Sequence, residues 1–362
     1  MNTTTSDINA GESDVLIRVE GRAGYITLNR PKALNALTLG MIRDIANALA
    51  AWKKDPAVKV VVLDGAGGKA LCAGGDVLSL YNSRADGSEV ARTFWREEYV
   101  LNSEIHRYPK PFVAIQDGIV MGGGIGLSSH AQHRIVTERS MLAMPETGIG
   151  LIPDVGGTWL LGHAVGELGI YLGLAGARMS GADAIQAGFA GTFVPASALA
   201  EVSAQLIDAQ GRPVDELVDE LSDSFPVPAS PLMALKPKID KYFAPATVEG
   251  ILAALQSTTD DWAQKTRADL LLKSPLALKT TLSAVRQARQ LPFLESALNV
   301  EYRLCTRLFE GGEFIEGIRA LLVDKDKQPK WNPARLEDVT AAQVNALFAP
   351  FGTTDELGLI GG

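Results

Sequence analysis

Twice in this chain a near-continuous apolar run gives way to clustered glycines: "VKVVVLDGAGGKALCAGGDV" from Val58 and "FVAIQDGIVMGGGIGLSS" from Phe112. A strand that is apolar at consecutive positions, without alternation, is one covered on both faces. Upstream, "VLIRVE" (Val15 to Glu20) and "GYITLNRP" (Gly24 to Pro31) read as a hairpin. A helix follows: Thr38 is placed to cap it, and Met41, Ile45, Ala48, Leu49 and Trp52 fall on one face before Asp55-Pro56. A further helical stretch runs around Glu89 to Tyr108. Strand, glycine turn and helix therefore recur, the pattern of an α/β fold.

From about residue 197 the texture changes. Helical runs are expected at Ser197 to Ala209, Thr247 to Leu272, Pro275 to Gln290, Leu294 to Leu308 and Glu313 to Leu322, with "FPVPASPLMALKP" (Phe225 to Pro237) as an irregular connector. The expected organisation is a core over 14–200 and a mainly helical C-terminal region over 201–362 that completes and covers it.

Composition narrows the functions. A formal net charge of −8 and no basic run disfavour a polynucleotide partner. Cys72 and Cys305 stand far apart and outside any CxxC spacing, so neither a disulfide framework nor a cysteine zinc site is expected. No stretch approaches the ~20 unbroken apolar residues of a membrane span. The opening "MNTTTSDINAGESD" has neither a secretory nor an arginine-rich transit pattern, and a cytoplasmic location is the expectation.

Several familiar motifs fail on context. "GAGGKA" (Gly65 to Ala70) fits the dinucleotide fingerprint formally, but another glycine turn follows where the fingerprint needs a helix. No Ser or Thr follows Lys69, so there is no phosphate loop, and "GLSSH" lacks the second glycine of a hydrolase elbow. His130 and His133 are three apart but have no Cys or carboxylate ligand beside them; they read as residues at a helix end and a strand start.

What remains is two glycine turns and two acids. "CAGGD" (Cys72 to Asp76) and "MGGGIG" (Met121 to Gly126) each let backbone N–H groups approach a ligand, and one N–H from each turn can hold a single oxygen. In "MPETGIGLIPDVGG" (Met144 to Gly157), Glu146 and Asp154 lie in a stretch too apolar and too broken to be a solvated helix face. A carboxylate there is expected to have a raised pKa, which suits proton transfer near neutrality.

In order and spacing, "YITLNRPKALNAL", "CAGGD", "KPFVAIQDGIVMGGGIGLS" and "MPETGIGLIPDVGGTWLL" resemble the crotonase (enoyl-CoA hydratase/isomerase) superfamily over roughly residues 14 to 195. The resemblance implies a spiral of ββα units with an extended helical C-terminal region and an acyl-CoA site. In that site the thioester oxygen is held by two backbone N–H groups, here those of Gly75 and Gly123. Hydratases of the superfamily carry a glutamate three residues after the middle glycine of the second turn; Gly126 stands there in this chain. Glu146 keeps the later family position, Asp154 stands where many relatives have glycine, and Glu98 lies in the acidic helix "FWREEYV".

That pattern, with "EYRL" (Glu301 to Leu304) and "FIEGIRALLVDKDKQPKW" (Phe314 to Trp331), resembles the 3-hydroxyisobutyryl-CoA hydrolase branch. The implied reaction is thioester hydrolysis in valine breakdown. Glu146 and Asp154 are the implied catalytic acids, Glu98, Gly123, Glu146 and Asp154 the implied substrate-binding positions, and neither cofactor nor metal is called for. Lys32, Lys69 and Arg22 are candidates for the CoA phosphates, and a homo-oligomer is open. Two other readings stand beside this one: an enoyl-CoA hydratase or isomerase, which would release no thiol, and a non-catalytic acyl-CoA binder.

Overall fold

The computed structural model describes residues 13–85, 89–208, 211–352 and 355–361. Among the described residues, ten strands form two sheets. The larger contains β1 (Val15–Glu20), β2 (Ala23–Leu28), β3 (Val60–Gly65), β5 (Phe112–Gln116), β7 (His133–Val136) and β10 (Thr192–Phe193), in the order β1-β2-β3-β5-β7-β10. The smaller contains β4 (Ala70–Cys72), β6 (Ile119–Met121), β8 (Met141–Ala143) and β9 (Met179–Ser180), in that order. β1 and β2 are the antiparallel hairpin; every other pair in the larger sheet is parallel. β4, β6 and β8 are parallel, and β9 closes their edge antiparallel.

The chain reaches this arrangement by repeating one step. β3, β5 and β7 each enter the larger sheet, and after a short corner the chain turns into β4, β6 or β8 of the smaller one. Helices return it to the start: α1 (Leu39–Lys54) before β3, α2 (Val77–Ala85) and α3 (Val90–His106) after β4, and α4 (Gly123–Ser128) after β6. This is the ββα spiral that the resemblance implies. The corner between β5 and β6 shows why glycine marks it. Gly118 has φ +74°, and a Cβ there would lie 2.4 Å from the Lys69 carbonyl oxygen of the preceding turn.

The apolar runs of the central strands are explained by two cores. Ile26, Val61, Leu63, Phe112 and Ala114 point into the main core, while Tyr25, Val60, Val62, Val113 and Ile115 point the other way. Register keeps each set together, since Tyr25 pairs with Val62, and Val62 with Val113. The second face is covered by helices from late in the chain. Val202 and Leu206 of α8 (Leu199–Ile207) and Val214, Leu217 and Leu221 of α9 (Val214–Ser224) pack on it. Each such buried side chain contributes about 1.5–3 kcal/mol. Arg22, a candidate for CoA phosphate, is spent here: it donates to the carbonyls of Leu206 and Gly211 at 3.3 and 2.8 Å.

α5 (Gly157–His163), α6 (Leu168–Ala175) and α7 (Gly181–Gln186) precede β10. After α9 come α10 (Pro231–Phe243), α11 (Val248–Gln256), α12 (Asp261–Leu270), α13 (Pro275–Ala288), α14 (Leu294–Gly311), α15 (Glu313–Ile318) and α16 (Ala341–Phe348). Two expectations need correction. The connector over 225–237 is helical from Pro231, because Ser230 caps it by accepting from Met233 N at 3.1 Å and proline is tolerated in a first turn. The run over 247–272 is two helices, broken where Asp260 caps α12 by accepting from Ala263 N at 3.0 Å. Ala209, the expected end of α8, lies outside the described residues.

Candidate active site

Three expected groups leave the smaller sheet at matching places. Gly75 follows the C-terminal end of β4, Gly123 that of β6 and Glu146 that of β8. Neighbouring parallel strands thus deliver two N–H groups and a carboxylate to one side, the side where ligands meet parallel sheets.

The N–H groups of the two glycines are left over by the local pairing. Leu37 bridges to Gly75 in the parallel sense, with Leu37 N donating to Gly74 O and Asp76 N to Leu37 O, both at 2.8 Å. That pattern leaves the Gly75 N–H on the other side. Gly123 opens α4, where the first N–H groups have no intrahelical acceptor. The two lie close together, for a Cβ added at Gly123 would be 3.5 Å from Gly75 N and 2.6 Å from Glu98 Oε1. Gly122, at φ +47°, makes the turn, and a Cβ there would meet Glu146 Oε1 at 3.3 Å.

Around this turn lies a cavity of about 190 Å³ that is lined by all the expected groups: Gly75, Glu98, Gly123, Glu146 and Asp154. Its apolar wall is made by Phe94, Trp95, Ile149, Leu151, Phe314, Ile318, Leu321 and Leu322, from both halves of the chain. A larger cleft of about 650 Å³, at the end of α3 and the start of β7, holds none of the five. Lys32 and Lys69 are exposed.

The three acids are buried at 2% (Glu98), 5% (Glu146) and 5% (Asp154) exposure. Burial drives each carboxyl upward. Glu146 is held well above the usual range by burial and by the Asp154 charge, with Lys273 opposing; Lys273 Nζ lies 3.3 Å from the Cβ position of Gly148 in the same turn. Glu98 is likewise held well above it by burial and then Asp154. Asp154 rises only to about 6, because Tyr99 donates its O–H to Oδ2 at 2.6 Å and stabilises the charged form. Cys305 Sγ lies 3.3 Å from the same hydroxyl, and burial keeps that thiol protonated. Glu98 Oε1 and Glu146 Oε2 have no hydrogen-bond partner among the described residues, although both are buried. Unpartnered acceptors facing a cavity are groups kept free for something that enters it.

Gly126, where the resemblance places a glutamate in hydratases, is crowded by its neighbours. A Cβ there would lie 2.7 Å from Val155 Cβ and 2.8 Å from Asn102 Nδ2. A glutamate at 126 has no room.

Other residues of the site escape a reading of the sequence alone. Tyr99 follows Glu98 directly and was hidden only by a helix whose facing was unknown. His130 follows α4 and, far from ligating a metal, pairs its Nε2 with Val155 O at 2.7 Å; His133 starts β7. Burial lowers the His130 pKa to about 4, so the ring is neutral and its Nε2–H donates.

With this geometry in view, comparisons with known proteins agree. A family model described as enoyl-CoA hydratase/isomerase matches residues 23–348. The 3-hydroxyisobutyryl-CoA hydrolase of Xenopus laevis is 42% identical over 94% of this chain and 90% of its own length. The human one is 40% identical over 94% and 90%. Among solved structures, a carnitinyl-CoA dehydratase from Mycobacterium thermoresistibile superposes with TM-score 0.89 at 48% identity, over 95% of this chain and 98% of its own. An enoyl-CoA hydratase from Rhodobacter sphaeroides does so with TM-score 0.89 at 42% identity, over 96% and 100%. The expectation of a cytoplasmic location is overturned here, since the hydrolases from frog and human are mitochondrial enzymes. Cellular address is carried by signals that need not be part of the fold, so a leader-like pattern missing from the first residues is no guide to it. On the family match, the identity along nearly the whole chain and the shared spiral, this chain belongs to the enoyl-CoA hydratase/isomerase family, in the branch of the 3-hydroxyisobutyryl-CoA hydrolases.

Proposed function

We propose that this enzyme hydrolyses 3-hydroxyisobutyryl-CoA to 3-hydroxyisobutyrate and free CoA, a step of valine breakdown. The observation that carries the reading is the pairing of Glu146 with Asp154 in one buried cavity, together with a Gly126 that has no room for a side chain.

The N–H groups of Gly75 and Gly123 bind the thioester oxygen and strengthen their hold as it becomes an oxyanion; one such donor is worth about 2.7–4 kcal/mol in the transition state. Glu146, with Oε2 unpartnered, either attacks the carbonyl carbon and forms an anhydride or takes a proton from the water that attacks. As the C–S bond breaks, the leaving thiolate needs a proton. Asp154, at about 6, can hold that proton and release it near neutrality, and the Tyr99 hydrogen bond holds its Oδ2 in place. Glu98 is assigned to the substrate hydroxyl. The cavity, smaller than the ~300–1,000 Å³ that drug-sized ligands occupy, suits a short acyl group with the CoA outside. The chemistry needs neither metal nor cofactor.

Two solved relatives bear the names dehydratase and hydratase. A lyase reading predicts conversion of an acyl-CoA with the thioester intact, and a binding-only reading predicts affinity without turnover. A thiol-detecting dye across short 3-hydroxyacyl-CoA esters separates all three. Glu146→Gln is expected to lower thiol release at least 10²-fold while CoA-ester affinity stays within a few-fold; near-normal turnover would remove Glu146 from its role. Single-turnover hydrolysis in heavy-oxygen water labels Glu146 when an anhydride is opened at the Glu146 carbonyl; label confined to the product places the attack of water on the acyl carbon.

A further inference from the structure

Asp154 sits on a loop that should not hold its shape unaided. The residue after it, Val155, is β-branched yet has φ +54°, and Gly156 follows at φ +80°. A β-branched residue in that region is strained by about 1–3 kcal/mol and persists only where its surroundings fix it.

Two buried side chains do so. His130 holds the Val155 carbonyl oxygen. Glu301, fully buried in α14, takes the next N–H groups: Oε2 accepts from Gly156 N at 2.6 Å, and Oε1 accepts from Thr158 N at 2.9 Å and from the Thr158 hydroxyl. A buried acid with three partners, all on one five-residue stretch, is a clamp. α14 is itself tied to the helix that carries Glu98 and Tyr99. Glu295 at its start accepts from Ser103 Oγ at 2.9 Å and Arg107 Nε at 2.5 Å, and Cys305 touches Tyr99.

We propose that Glu301 is a positioning residue: through Gly156 and Thr158 it sets where Asp154 stands in the cavity, so that the C-terminal helix α14 is part of the active-site geometry. The inference rests on the hydrolase reading only in taking Asp154 to act on the substrate.

Glu301→Gln keeps one acceptor and turns the other end into an N–H₂ that faces a backbone N–H. Misplacing a reacting group by about 1 Å costs on the order of 10² in rate. The expected result is therefore a fall in kcat of about 10- to 100-fold, with KM within about twofold. Because Glu301 acts through Asp154, the same substitution should lower the single-turnover rate less than about threefold in an Asp154→Asn background. An equal fall in both backgrounds, or no fall in the first, would overturn the proposal.

Leu308→Ala, a core change in the same helix, serves as the stability control; it should lower Tm without changing kcat per folded molecule. If it reduces kcat as much as Glu301→Gln at equal Tm loss, Glu301 is merely structural and the proposal falls. Should Glu301→Gln not fold, Thr158→Val removes one of the three donors and is held to the same outcomes.

Hydrogen exchange separates this inference from the hydrolase reading. The Gly156 and Thr158 amides should exchange at least about tenfold faster in Glu301→Gln than in the native enzyme. Unchanged exchange removes the clamp whatever the reaction; faster exchange in an enzyme that releases no thiol supports the clamp and removes the hydrolase.

Discussion

At the scale of the residue, the proposed chemistry turns on what stands at three positions: 126, 146 and 154. Gly126 is closed off by Val155 and Asn102, so the glutamate of hydratases cannot be restored by substitution alone. Even Gly126→Ala is expected to cost about 1–3 kcal/mol by overpacking and to push Val155, and with it Asp154, out of place. A lowered Tm with a disproportionate loss of kcat would show it; unchanged values would mean that the neighbours give way freely. That Glu146, Gly75 and Gly123 would meet around one cavity was legible because each lies in a contiguous motif. The contacts that hold Asp154 were not. Tyr99 is 55 residues from it and Glu301 is 145 residues from Gly156, distances that no local pattern connects.

At the scale of the element, the strands and the first helices were readable because each carries its own signal. Thr38 accepts from Met41 N at 3.2 Å, and Met41, Ile45, Ala48, Leu49 and Trp52 of α1 are buried as the spacing predicts. What covers the strands was not readable, since an apolar run shows that a face is buried and does not show by what. α8 and α9 fill that place from more than eighty residues downstream of β5. Leu206→Ala and Leu217→Ala should each destabilise by about 2–5 kcal/mol in thermal or denaturant unfolding, because both are nearly fully buried. They touch no residue of the cavity, so kcat per folded molecule should stay within about twofold; a large drop would link the outer face to the site. The proline-rich stretch that leads into α10 misleads for a physical reason: Pro231 fits the first turn that Ser230 caps, and the helix runs on through Pro237 in its interior, a position where proline usually breaks one.

For the whole molecule, gathering unpaired acids in one apolar cavity costs stability, and the cost has a sign that can be measured. Asp154 ionises near pH 6 in the folded enzyme and near ~3.9 when unfolded, so the native state holds the proton more tightly. Its stabilising contribution is complete below about pH 4 and is lost as pH rises through about 6. Asp154→Asn, which keeps an acceptor for Tyr99 and removes the charge, should therefore raise Tm by a few degrees at pH 8, and the gain should vanish by about pH 4. A Tm that falls at pH 8 would show that the carboxylate is a net asset to the fold. The same burial bears on turnover: with Glu146 acting as a carboxylate, the acid limb of kcat/KM belongs to the coupled acids and should lie above the ordinary carboxylate range of about 4. A limb at or below that range would contradict the burial. The three parallel strands β4, β6 and β8 end side by side, and their ends lead to Gly75, Gly123 and Glu146. Asp154 stands apart from them, on a loop gripped from elsewhere. Such a division separates two kinds of change. The strand ends stay as they are when the loop is altered, whereas a new acid on the loop has to be matched by the helix that grips it.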